Sequence, residues 1–144
     1  MNWKRFFVAV FFAFIAATIF DILLNALLLR RDWIASAQCW RPPAEMNRLV
    51  GLGWASMLFI IICQSAIFAR ARWQGLGRGL EFGCWLGIAA FVGVAGGISS
   101  VVAWPMKLIL SMAIQQLVNN LITGCSLGWL YRNPVVDLKQ PSSV

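Results

Sequence analysis

Asp21 interrupts an apolar run over residues 6–29, and it is the side chain with the clearest chemical capacity in the sequence. An acid at the centre of a membrane span costs roughly 2.5–3.5 kcal/mol on insertion scales, so it calls for a partner or a task. Thr18 and Asn25 lie three and four positions to either side, which puts them on one face of a helix with Asp21. A second polar row follows much later: Ser111, Gln115 and Asn119, with Gln116, Asn120 and Thr123 beside it. Two chemistries are open to such a set. Amides can donate to a carboxylate and to one another, tying helices together through bonds that contribute only about 0.6 kcal/mol on average in membranes. Alternatively, surroundings that disfavour a charged carboxylate let an acid exchange a proton in step with a bound cation or small solute. No basic residue lies at matching depth to neutralise Asp21.

The composition explains why an acid is so conspicuous here. Hydrophobic residues make up 60% of the 144 and charged residues 12%, whereas soluble domains are about a quarter charged. A soluble core of this length could not hide so many Phe, Leu, Ile and Val side chains. The lipid bilayer is therefore the expected partner. The net charge of +7 does not argue for nucleic acid, because the Lys and Arg residues gather at the ends of apolar runs, where they meet headgroups.

Four runs, 6–29, 49–69, 80–103 and 106–131, are long enough for helices to cross a hydrocarbon layer about 30 Å thick. Their continuous apolarity is not the alternation of barrel strands. The expected fold is all-α, a polytopic bundle of four transmembrane helices forming one domain over residues 1–132, followed by a flexible polar tail over 133–144. The first run is longer than a signal-peptide core and Arg30, Arg31 and Asp32 intervene before Ala35-Ser36-Ala37, so an uncleaved anchor is expected. With the N-terminus inside, the cytoplasmic segments carry Lys4, Arg5, Arg70, Arg72, Arg78, Arg132 and Lys139. Arg30, Arg31, Arg41, Arg48 and Lys107 are then outside, and this bias of seven to five favours cytoplasmic N- and C-termini.

The connections carry their own signals. In the 30–48 connection, Asp32 is expected to cap a short interfacial helix with Trp33, Ala37 and Trp40 on one stripe, ended by Arg41-Pro42-Pro43. Trp104-Pro105 leaves almost no loop, so the last two spans should form a tight hairpin with Pro105 in the first turn of the last helix. Gly83 and Gly87, Gly93 and Gly97, and Gly124 and Gly128 are each four apart, a spacing that lets neighbouring backbones approach. Their expected role is helix packing, within the chain, in a homo-oligomer or against another membrane-protein partner. Counted from the middle of each span, Asp21 and Gln115 lie at similar depth, so the first and last spans are expected to pack antiparallel with their polar rows in contact.

Absences narrow the chemistry. The sequence contains no His, which removes His-ligated haem, zinc and copper and His general-base catalysis. Cys39, Cys63, Cys84 and Cys125 form no Cys-x-x-Cys pair, and the last three are expected to be small packing residues. The sequence argues against an enzyme, a bound metal and any cofactor.

The Phe20-Asp21-Ile22-Leu23-Leu24-Asn25 segment, the four spans and the late Trp104-Pro105-Met106-Lys107-Leu108 entry resemble small four-helix bacterial inner-membrane proteins of unknown function. That resemblance implies a bacterial plasma-membrane location and supplies no activity. The small multidrug transporters are similar in size and in having an acid in the first helix, but theirs is a Glu in a different context. The leading expectation is a non-enzymatic bundle that works through helix–helix association, as an accessory or assembly component. The alternative is a proton- or cation-coupled carrier of a small solute, centred on Asp21, Asn25, Gln115 and Asn119. The discriminating feature is physical: a carrier needs a polar cavity beside Asp21, whereas structural glue needs the amides packed and dry.

Overall fold

The structure is a computed structural model that describes residues 2–27 and 29–132; the expected tail at 133–144 lies outside the described residues. Among the described residues every regular element is helical: α1 (Trp3–Leu27), α2 (Arg30–Ala35), a 3-10 turn (Ala37–Cys39), α3 (Pro43–Arg70), α4 (Leu76–Val101) and α5 (Met106–Leu130). Helices α1, α3, α4 and α5 are each long and apolar enough to span a membrane. Without water to satisfy backbone N–H and C=O groups, a helix is the natural solution for each such run. The protein is an all-α, multi-pass membrane bundle.

Helix α5 begins where its apolar run does, but α1, α3 and α4 begin three to six residues before theirs, because backbone hydrogen bonding follows local stereochemistry rather than hydropathy. The clearest case is α3, which starts at Pro43, six residues before its apolar run. Pro42 is extended (ψ 143°) and Pro43 occupies the first turn, where a missing N–H costs nothing. Helix α4 starts early after Gly75, whose φ of +85° suits a residue without a Cβ. Two local expectations are corrected. Pro105 is the residue before α5 rather than part of its first turn, with ψ at 128°. Asp32 is not the cap of α2: Leu29 holds that position, no side chain caps the helix, and Asp32 lies in the first turn.

Helix α5 organises the bundle, packing along α4 on one side and α1 on another, while α3 packs on α1 and only touches α5. Lipid tails are as apolar as Leu, so association here depends on close fit rather than on escape from water. The α4–α5 seam shows it. A Cβ added to Gly83 would lie 2.5 Å from the Asn120 carbonyl oxygen, and one added to Gly128 would lie 3.0 Å from the Gly79 Cα. Gly79, Gly83 and Gly87 form a row that faces Gly124, Gly128 and the Leu117 backbone. Gly93 and Gly97 depart from the expectation: a Cβ on either meets nothing within 4 Å. Gly93 is turned about 80° from Gly83, but Gly97, eighteen residues after Gly79, has the same helical phase as that glycine, so its open surroundings reflect the distance to α5 and not the face it presents.

Helix α1 uses alanines the same way. Ala9, Ala13 and Ala17 are buried at four-residue spacing, while Phe7, Phe11 and Ile15 are exposed on its outer side. Ala13 and Ala17 pack with Phe6, Val10 and Ile61 between α1 and α3; Ala9 joins Phe68, Phe82 and Leu127 where all four long helices converge. Phe68 is central to that end, with ring contacts to Trp73, Phe82 and Tyr131 at 5.6–5.9 Å. Cys63 and Cys84 are exposed on the outer surface rather than packed in the bundle.

Candidate functional site

The antiparallel seam between α1 and α5 is tied by polar groups along its length. At one end the Arg5 guanidinium donates to the Leu130 carbonyl, one of the acceptors a helix leaves unsatisfied at its C-terminus, and lies 4.8 Å over the Tyr131 ring. In the middle, Gln115 Nε2 and Asn119 Nδ2 both donate to Asp21 Oδ1 at 2.7 Å. At the other end Lys107 Nζ meets Asp32 Oδ1 at 2.8 Å. Residues 94 and 98 positions apart thus meet at one carboxylate oxygen, and the two polar rows are in contact.

Above Asp21, Asn25 Nδ2 donates to the Asp21 carbonyl at 2.7 Å, and Asn25 Oδ1 accepts from Trp33 Nε1 at 2.9 Å. Trp33 belongs to α2 and forms a roof. Its ring lies 4.1 Å from Trp40, which in turn lies 4.8 Å from Trp104 at the entrance to α5. Trp40 Nε1 donates to Ser36 Oγ at 3.0 Å, and Ser36 Oγ donates to the Asp32 carbonyl at 2.7 Å, so the 30–40 segment is folded onto itself. Below Asp21, Gln64 Nε2 of α3 donates to Asn120 Oδ1 at 2.7 Å and Asn120 Nδ2 donates to the Gln116 carbonyl.

Between this roof and this base lies a cleft of about 710 Å³, lined by α1, α3, α5 and Trp33. Its polar side carries Thr18, Asp21, Asn25, Gln64, Gln116, Asn119, Asn120 and Thr123. The apolar side carries Ile22, Val50, Trp54, Met57, Ile60 and Ile61. The α1–α3 seam is packed around Ala13, Ala17 and Ile61, and contact between α3 and α5 is slight, so the cleft opens beside the first half of α3. Most of α3 before Ile61 is exposed, which shows how far its first half stands off the bundle. The cleft holds one carboxyl group and no Lys or Arg. Two buried polar atoms in its lining residues have no hydrogen-bond partner: the Thr18 hydroxyl, which can donate or accept, and the acceptor Asn119 Oδ1.

Of the residues singled out from the sequence, Asp21, Asn25 and Asn119 line the cleft, while Gln115 holds Asp21 from outside the lining. Ser111 is turned to its own helix, donating to the Lys107 carbonyl. Sequence reasoning missed Gln64 and Trp33. An amide in the middle of the second span was a usable signal for Gln64; nothing in the sequence indicated that Trp33 would fold back over the first helix. Glu81 pairs with Arg78 at 2.7 Å at the exposed start of α4, away from the cleft. Among the described residues no three His, Cys, Asp or Glu side chains gather as a metal site. A scan against family models, a search of curated proteins and a search of solved structures each returned no match.

Proposed function

We propose that this chain is a carrier of the bacterial inner membrane that receives a small solute in the α1–α3–α5 cleft and couples its passage to a proton or cation at Asp21. The supporting observation is the cleft itself. Amides that served only as glue would be packed against each other, whereas Asp21 borders a space large enough for a small organic molecule. Two amides fix one carboxylate oxygen at 2.7 Å and hold the acid against α5. An intramembrane acid positioned in this way is the usual mark of an ion or proton path. In this reading the protein is not an enzyme and needs no cofactor, and it stands among the small four-helix inner-membrane proteins it resembles. Its termini face the cytoplasm and α2 lies at the outer surface, consistent with the cation distribution.

A second reading, association with another copy or with a different membrane protein as an accessory component, draws on α4. Gly93, Gly96 and Gly97 of its second half have open space around them, and Trp85, Ile88 and Val92 are exposed. The carrier reading is tested in proteoliposomes containing a trapped pH indicator, to which small organic cations, anions and neutral polyols are added one class at a time. One class should drive proton movement in the parent protein and not in Asp21→Asn. If no class moves protons beyond protein-free vesicles, and none moves labelled sodium or potassium in the same vesicles, the carrier reading fails and the association reading stands.

A further inference from the structure

The lining of the cleft specifies the chemistry of its occupant more narrowly than the word solute does. Resting on the carrier reading, we propose that the cleft takes a protonated primary or secondary amine carried on an apolar or aromatic body. Three observations converge on this class. The single ionisable group in the lining is the Asp21 carboxyl, with no Lys or Arg to attract an anion. The donors nearest the acid are already engaged: Gln115 and Asn119 each give an N–H to Asp21 Oδ1, and Trp33 Nε1 donates to Asn25. Asn119 Oδ1 and Thr18 Oγ1 meanwhile remain buried without partners. A ligand that brings N–H donors and positive charge satisfies both the acid and the unpartnered Asn119 oxygen, and an anion satisfies neither.

The rest of the cleft suits the remainder of such a molecule. Trp33 and Trp54 line it together with Met57, Ile60 and Ile61, giving an apolar wall opposite the polar one. Indoles attract cations at short range, and the attraction grows when water is excluded. The cleft opens beside the exposed first half of α3, a helix long and apolar enough to cross the membrane, so a molecule with an apolar body can enter from the bilayer. The requirement for N–H donors separates this class from quaternary ammonium compounds, which carry the charge without a donor.

The test uses the purified full chain in lipid nanodiscs and four probes of similar shape: phenethylammonium, phenethyltrimethylammonium, phenethyl alcohol and 3-phenylpropanoate. Calorimetric titration should show phenethylammonium binding about tenfold or more tighter than each of the others. Asp21→Asn should weaken the amine by about tenfold or more. Gln116→Lys, at an exposed lining position whose side chain makes no tie, should do the same by placing a cation in the cleft. This second variant keeps the proposal testable if Asp21→Asn does not fold. Comparable binding of the alcohol or of the quaternary probe, or tighter binding of the carboxylate, overturns the amine assignment while leaving a solute site in place. An unchanged amine affinity in a folded Gln116→Lys protein also overturns it. Absence of saturable binding by all four probes overturns this inference, and the flux assay then decides the carrier reading separately.

Discussion

Asp21 illustrates how one residue can be legible by type and illegible by role. Its cost in an apolar span demanded a partner, and the partners proved to be Gln115 and Asn119, both on the same oxygen. Asn at position 21 keeps an acceptor for the two amides, whereas Leu leaves both donors unsatisfied. We therefore expect Asp21→Asn to match the parent in unfolding by SDS titration, and Asp21→Leu to lose about 1 kcal/mol, the scale of interhelical hydrogen bonds in membranes. Equal stability of the two variants would show that the amides find other partners. Lys107 and Asp32 form the opposite case. The Lys107 side chain is 77% exposed, so Lys107→Ala should change stability by less than about 1 kcal/mol, and added salt should erase the difference.

Among elements, the α4–α5 hairpin is the most demanding. Its glycine rows bring backbones together so closely that a Cβ on Gly83 falls 2.5 Å from a carbonyl oxygen that cannot move without its helix. Gly83→Val should separate α4 from α5 and cost about 3 kcal/mol or more, read as a lower thermal midpoint in detergent. Gly93→Val, with open space around the site, should stay within about 1 kcal/mol of the parent. A large loss at Gly93 in nanodiscs, absent in dilute detergent, would indicate that a second copy covers that face. The row spacing was visible in the sequence for both pairs. Which pair met a neighbour was not, because how close α5 comes at each level depends on how the two helices cross. The same holds for Ala9, Ala13 and Ala17, whose four-residue spacing was as plain as that of the glycines and went unused.

For the whole molecule, the proposed orientation places α2, with Trp33, and the following Trp40 at the outer surface. Gln38 is exposed on the 3-10 turn, so Gln38→Cys in a cysteine-free background should react with a membrane-impermeant maleimide added to intact cells. Protection until the membrane is opened would reverse the topology. The cleft also belongs to this scale. It exists because α3 packs on α1 near one end and diverges from α5 toward the other, with Gln64 and Asn120 as the last tie before the gap.

Hydropathy, chain length and the cost of unpaired backbone groups in lipid are local properties, and from them the sequence by itself determined an all-α membrane bundle of four spans. It also determined that α1 and α5 carry polar rows at matching depth, because depth follows from counting residues along a span. Tertiary structure alone decided that the rows meet at one oxygen of Asp21, that Trp33 roofs the space above and Gln64 ties it below, and that the space stays open. The physical reason is that a cavity is a property of the distance between helices. That distance is set by how small residues on several segments interlock, and no single segment encodes it.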